Sequence, residues 1–117
     1  MPIISIDGLK KLKPELKKHS VTEWGGHVNL IKFTAKARDD FALWHKEASE
    51  KDSYLEAVLK TISLGTVDDD GNSIFPIDQL DVLEAQDSEV IDSLYKAITA
   101  YNGIGKKVEE SNEQVKS

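Results

Sequence analysis

The pair Gly25-Gly26 lies between two β-prone runs, residues 20–24 and 27–33, and most constrains how this chain folds. A two-residue hairpin loop needs positive φ angles, which glycine adopts without steric cost. The sequence therefore predicts a β-hairpin closed by a Gly25-Gly26 turn. That turn sets three cross-strand pairs, which are Val21 with Leu30, Glu23 with Val28, and Trp24 with His27.

The predicted register assigns each side chain of the hairpin to a face, because neighbours along a strand alternate. One face, expected to pack on helices, holds Val21, Val28 and Leu30. The opposite face holds Thr22, Trp24, Asn29 and Ile31. Trp24 is then at the hairpin tip, either covered by Ile31 and a strand near the N-terminus or exposed for a partner. Three candidate partner-binding residues follow, namely Trp24, Ile31 and Thr22.

Apolar side chains at helical spacing predict two helices directly after the hairpin. Thr34 is a suitable N-cap for the first, which runs to about Ser49 and buries a stripe formed by Ala37, Phe41, Trp44 and Ala48. Asp52 or Ser53 is expected to cap the second helix, and Gly65 is placed to end it. Its inner side chains are Leu55, Val58, Leu59 and Ile62.

Two more helices complete the predicted domain. One covers residues 78–84, and the last starts near Asp87 and ends at Asn102-Gly103. The inner face of the last helix holds Val90, Ile91, Leu94, Tyr95 and Ile98. The sequence thus predicts an α+β protein, mostly helical with about four helices and an N-terminal β-hairpin, in a single globular domain over residues 1–105.

The flanking segments carry weaker signals. Residues 2–6 are β-prone and predict a short strand. Leucines at helical spacing follow, but Pro14 limits any helix there to one or two turns. Residues 106–117 are polar with few apolar anchors, which predicts a disordered C-terminal tail.

Charge and composition exclude several classes of function. The net charge is −6, and residues 61–95 carry nine carboxylates without a Lys or Arg, whereas residues 9–18 carry five lysines. Most of this surface would repel a phosphate backbone, so no nucleic-acid partner is expected. No apolar run approaches the roughly 20 residues of a membrane span. The absence of cysteine excludes disulfides and thiolate zinc sites.

The acidic stretch at residues 68–72 raises the question of a calcium site. An EF-hand loop with glycine at its sixth position needs a bidentate glutamate at its twelfth. When Gly71 is aligned at the sixth position, Ile77 occupies the twelfth. The sequence therefore favours a tight turn formed by Asp70, Gly71 and Asn72, and no metal or cofactor is expected.

The residues that could support catalysis form no recognised pattern. The three histidines, His19, His27 and His45, are scattered, and no HExxH or GxSxG motif is present. The glycine pairs are too short to cradle a phosphate group. The sequence therefore predicts a protein that is not an enzyme.

Several short motifs follow one another along residues 20–104. They are Val-Thr-Glu-Trp-Gly-Gly at 21–26, the run into Phe33-Thr34, Ala37-Arg38-Asp39, Asp70-Gly71-Asn72 with Phe75, and Tyr101-Asn102-Gly103. Their order and spacing resemble those of the tail assembly chaperones of long-tailed, non-contractile bacteriophages. The lysine-rich segment 9–18 and Pro76 lie outside the match.

The resemblance implies a holding role in the host bacterial cytoplasm. Such chaperones bind the tape measure protein, keep it soluble, help bring tail tube subunits to it, and leave before the virion is complete. The resemblance also implies a longer form made by ribosomal frameshifting, with Gly105-Lys106-Lys107 as the place for a slippery codon run. Self-association into a homo-oligomer along a long client is expected. The residues also allow a generic helical adaptor, including a calcium-responsive one that uses the 68–72 turn.

Overall fold

A computed structural model describes residues 3–104 of the chain. Its helices are α1 (Ile6–Lys11), α2 (Ala35–Lys51), α3 (Leu55–Gly65), α4 (Leu80–Glu84) and α5 (Ser88–Tyr101). Its strands are β1 (Leu16–Val21), β2 (Gly26–Ile31) and β3 (Thr66–Val67), in an antiparallel sheet of order β1-β2-β3. The predicted α+β class is confirmed. The predicted tail and frameshift site lie outside the described residues.

The N-terminal segment differs from the prediction. A strand was expected at residues 2–6, but residues 3–5 form none and α1 begins at Ile6. The Ser5 side chain caps this helix, with its Oγ accepting a hydrogen bond from the Gly8 amide at 3.1 Å. Because Ser5 satisfies one of the free amide groups of the first turn, it favours a helix start over an extended strand.

The β-hairpin is present, but its turn and register differ from the prediction. β1 and β2 are joined by a four-residue connection in which Thr22–Trp24 forms a 3₁₀ turn and Gly25 adopts a φ of 73°. Val28 consequently lies opposite His19 rather than Glu23. The expected two-residue Gly25-Gly26 loop is therefore wrong, because Gly26 already pairs with Val21 as the first residue of β2.

The core face of the hairpin survives this change of register. The offset along β1 is four residues, an even number, so the side chains within the paired strands β1 and β2 stay on their predicted faces. Three aliphatic side chains of the hairpin are buried as expected, namely Val21, Val28 and Leu30. They join a core with residues from α3, α4 and α5, of which Ile62 and Ile98 are fully buried.

The ends of α2 and α3 agree only in part with the capping residues predicted from the sequence. Thr34 caps α2 as predicted, with its Oγ1 accepting from the Ala37 amide at 3.0 Å. Neither Asp52 nor Ser53 caps α3, because Asp52 takes a left-handed conformation that ends α2 and Tyr54 occupies the cap position. α3 ends at Gly65 as predicted, where a Cβ atom would overlap the side chain of Ile98.

Asn102 joins the end of α5 to the end of β2. Its Oδ1 accepts from the Phe33 amide at 2.7 Å, and its Nδ2 donates to the carbonyls of Ile31 (3.3 Å) and Ile98 (3.0 Å). The same side chain thus satisfies backbone groups of a helix end and a strand end. Gly103 follows with a φ of 71°, and the helix stops.

Candidate functional site

Trp24 lies in the 3₁₀ turn between β1 and β2 and is half-buried. Its ring packs edge-on against Phe75, with the ring centroids 5.9 Å apart and the planes at 69°. The expectation that Trp24 points away from the core is wrong, because the turn brings its ring back onto the core side. Trp24 therefore both supports the fold and presents part of its ring to solvent.

A shallow apolar groove opens beside Trp24. Its volume is about 180 Å³, and its lining is Trp24, Phe75, Val82, Leu83 and Gln86. We call it the Trp24 groove. Val82 is 52% exposed although it is aliphatic and lies on a short helix packed against the core. An exposed aliphatic side chain next to a partly exposed indole ring is typical of a protein-contact surface.

A second groove lies on the other side of α4, between the start of α3 and the start of α5. We call it the α3–α5 groove. Its volume is about 230 Å³, and its apolar lining is Tyr54, Leu55, Val58, Leu59, Leu83 and Ile91. Glu84 and Asp92 also line it. Leu83 and Gln86 line both grooves, so the two adjoin along α4.

The other two candidate partner-binding residues do not join this surface. Ile31 pairs with Leu16 at the end of the hairpin, and its carbonyl accepts from Asn102. Thr22 is exposed at the start of the 3₁₀ turn and does not line the Trp24 groove. The residues that do surround Trp24 come from the segment after the acidic turn. The sequence analysis gave Val82 no role.

The acidic stretch forms a turn that docks on the sheet. The Asp68 Oδ1 accepts from the amides of Asp70 and Asn72, both at 2.9 Å, and Gly71 has a φ of 87°. Asp69 points elsewhere, because its Oδ1 accepts from Asn29 Nδ2 at 2.8 Å and from His27 Nε2 at 3.0 Å. The carboxylates therefore do not converge. Across residues 3–104, no group of three or more His, Asp or Glu side chains could hold a metal ion.

The contacts of Asp69 predict a small loss of folding stability at acidic pH. Hydrogen bonds from Asn29 and then His27 lower the pKa of Asp69 below its ordinary value. A depressed folded-state pKa adds stability above the unfolded-state value, and that stability is lost as the pH falls through the folded-state pKa. The effect is small because the side chain is exposed.

We expect Asp69→Asn to flatten the fall in melting temperature between pH 5 and about pH 3. Asp70→Asn is the matched control, since it removes a carboxylate from the same turn and the described residues show no bond from that side chain to β2. An Asp69→Asn profile parallel to that of the unchanged protein would contradict this prediction.

His45 is a structural contact between two helices. Its Nδ1 lies 2.8 Å from the Phe41 carbonyl oxygen and its Nε2 lies 2.7 Å from the Tyr95 hydroxyl. A carbonyl only accepts, so Nδ1 carries hydrogen and, in the neutral ring, Nε2 accepts from Tyr95. Burial raises the pKa of Tyr95 above its ordinary value. These contacts join α2 to α5.

A polar cleft of about 340 Å³ lies between β1 and the start of α5. Its titratable side chains are His19, Glu23, Asp87 and Glu89. The three carboxylate-bearing residues are exposed, and Asp87 is engaged as the N-cap of α5. His27 and His45 lie elsewhere, so the three histidines do not converge.

Two further findings bear on function. None of the helices within residues 3–104 is long and apolar enough to cross a membrane. Comparison of the chain with protein-family models, with curated proteins and with solved structures finds no match in any of the three. The candidate site is therefore defined by its own geometry, namely two adjoining apolar grooves on either side of α4.

Proposed function

We propose that this protein is a tail assembly chaperone of a long-tailed, non-contractile bacteriophage. In this proposal it binds the tape measure protein in the host bacterial cytoplasm, keeps it soluble, and helps bring tail tube subunits to it. It carries out no chemical reaction and is not part of the mature virion. The motif resemblance supports this proposal, and the apolar surface along α4 gives it a physical basis.

The observation that carries the proposal is the exposed apolar surface of the two adjoining grooves. Val82, Tyr54 and Leu55 are each about half exposed, and they lie on both sides of the buried Leu83. A groove of this kind accepts the apolar stripe of an amphipathic helix. A tape measure protein, which the resemblance gives as the client, is a long helix with such a stripe.

The charge around the grooves defines the client further. Residues 61–95, which include all of α4, contain nine carboxylates and no Lys or Arg. Two of them, Glu84 and Asp92, line the α3–α5 groove itself. We therefore expect the bound helix to carry lysine or arginine beside its apolar stripe, since charge complementarity sets orientation and excludes wrong partners.

The generic adaptor remains the alternative, but the turn at residues 68–72 does not favour its calcium-responsive form. Asp68 bonds to amides of its own turn, while Asp69 bonds to β2. Their oxygens therefore face different groups. An adaptor would bind one small partner. By contrast, many copies of a tape measure chaperone bind along one long client helix.

The test is co-expression with the largest helix-rich protein encoded just downstream. We expect the client to stay soluble only when this protein is present, in a complex with several copies of the chain per client by size-exclusion chromatography with light scattering. Repeated weak contacts along one client would give such a complex its avidity. A client that is equally insoluble with and without this protein would refute the proposal.

A single substitution tests the contribution of the Trp24 groove to client binding. Val82→Glu places a charge in the groove, and because Val82 is exposed the fold is expected to persist. We expect client affinity to fall about tenfold or more. Leu43→Glu is the matched control, since Leu43 is 51% exposed on α2 and lines neither groove. Equal losses in the two variants would contradict a role for the groove.

A further inference from the structure

The N-terminal arm, defined as residues 3–13, leaves all of its large aliphatic side chains exposed. α1 contains no buried residue. Five aliphatic side chains of the arm are between 56% and 94% exposed, namely Ile3, Ile4, Ile6, Leu9 and Leu12. An apolar cluster of this density on a surface marks a site of contact with another molecule.

The arm also has a net positive charge, with three lysines against one carboxylate, Asp7. Lys10, Lys11 and Lys13 alternate with its leucines, and none forms an ion pair with another residue in the described part of the chain. The arm therefore combines an apolar stripe with free positive charge. A complementary surface must be apolar and rimmed by carboxylates.

The α3–α5 groove has those properties. Leu55 and Tyr54 are about half exposed at its edge, while Ile91 is buried at its floor. Glu84 and Asp92 supply carboxylates at its lining. Asp92 already forms an ion pair with Lys96, with 3.0 Å between Asp92 Oδ2 and Lys96 Nζ. Glu84 has no ion-pair partner within residues 3–104.

We propose that the N-terminal arm of one copy of this chain docks in the α3–α5 groove of a second copy. The apolar side chains of the arm fill the groove, and its lysines meet Glu84 and Asp92. The occupant is a second copy because the same chain carries both complementary surfaces and the arm buries none of its residues on its own domain. The inference does not depend on the proposed chaperone function.

The contact joins two different surfaces, so it is heterologous. Each copy in a pair keeps one free arm or one free groove unless the arrangement closes, so copies can form rings or open chains. The Trp24 groove stays available on the other side of α4. Self-association through the arm therefore occupies the α3–α5 groove with Glu84 and Asp92, and leaves the Trp24 groove to the client.

The test is the mass of the purified full chain as a function of concentration, measured by light scattering and sedimentation. We expect complexes of two or more copies. Leu9→Asp with Leu12→Asp in the arm, or Leu55→Asp in the groove, should raise the concentration needed for association about a hundredfold. Leu43→Asp, at an equally exposed leucine on α2, should change nothing. Circular dichroism establishes that each variant is folded.

Mixing the two defective proteins tests the geometry directly. The groove variant keeps an intact arm and the arm variant keeps an intact groove, so the mixture should form two-copy complexes that neither protein forms alone. A wild-type chain that is monomeric at about 100 µM would overturn the proposal, because a contact with a Kd below that concentration would be populated there. Failure of the mixture to associate, or loss of association in Leu43→Asp, would also overturn it.

Discussion

Leu83→Ala is expected to lower the free energy of unfolding by about 2–5 kcal/mol. Leu83 is 1% exposed and joins the short helix α4 to the core. α4 has five residues, and a helix that short owes its stability to tertiary packing rather than to its own hydrogen bonds. Because Leu83 lines both grooves, the substitution should also abolish client binding.

Urea unfolding of the purified variants measures this effect. The control is Val82→Ala, one residue earlier on the same helix and 52% exposed, which should cost about 0.5 kcal/mol or less. Alanine is a better helix former than either leucine or valine, so a loss of stability in either variant reports burial rather than helix propensity. Similar losses at Leu83 and Val82 would mean that α4 does not pack through Leu83.

Asn102→Ala is expected to lower the free energy of unfolding by about 2–3 kcal/mol. The change removes the side chain that bonds to the backbone of Phe33, Ile31 and Ile98. These groups belong to the end of β2 and the end of α5, so the substitution removes the hydrogen bonds that join these two parts of the fold. Hydrogen exchange should show the loss of protection at the Phe33 amide.

Gln86→Ala provides the comparison for Asn102→Ala. Gln86 makes one exposed hydrogen bond from its side chain to the Val82 carbonyl, at 3.0 Å. Its removal should cost about 0.5 kcal/mol or less, because water replaces the lost bond. If Asn102→Ala is no more destabilising than Gln86→Ala, the contacts of Asn102 do not hold the helix to the sheet.

Local sequence patterns identified most of the regular elements because each depends on neighbouring residues. The Thr34 cap, the stripe of α5 and the stop at Gly65 are read within a few positions along the chain. The hairpin was identified but not its connection. Gly25-Gly26 supports a two-residue loop, yet the 3₁₀ turn at Thr22–Trp24 places only Gly25 at positive φ and leaves Gly26 in β2.

The candidate site could not be read from such patterns because its parts are distant in sequence. Trp24 meets Phe75 and Val82 only after the sheet and helices have packed. The helical pattern at residues 78–84 predicts a helix there but not the side of the core on which it lies. Likewise Asn102 bonds to Ile31 and Phe33, about 70 residues earlier in the chain.

The central claim, that a client helix binds at the Trp24 groove, can be tested with tryptophan fluorescence. The chain has two tryptophans, so Trp44→Phe leaves Trp24 as the only reporter and Trp24→Phe leaves Trp44. Each protein is titrated with a synthetic amphipathic helix from the largest helix-rich protein encoded downstream. We predict a blue shift for the Trp24 reporter and none for Trp44. A shift at Trp44 alone, or at neither, would contradict the claim.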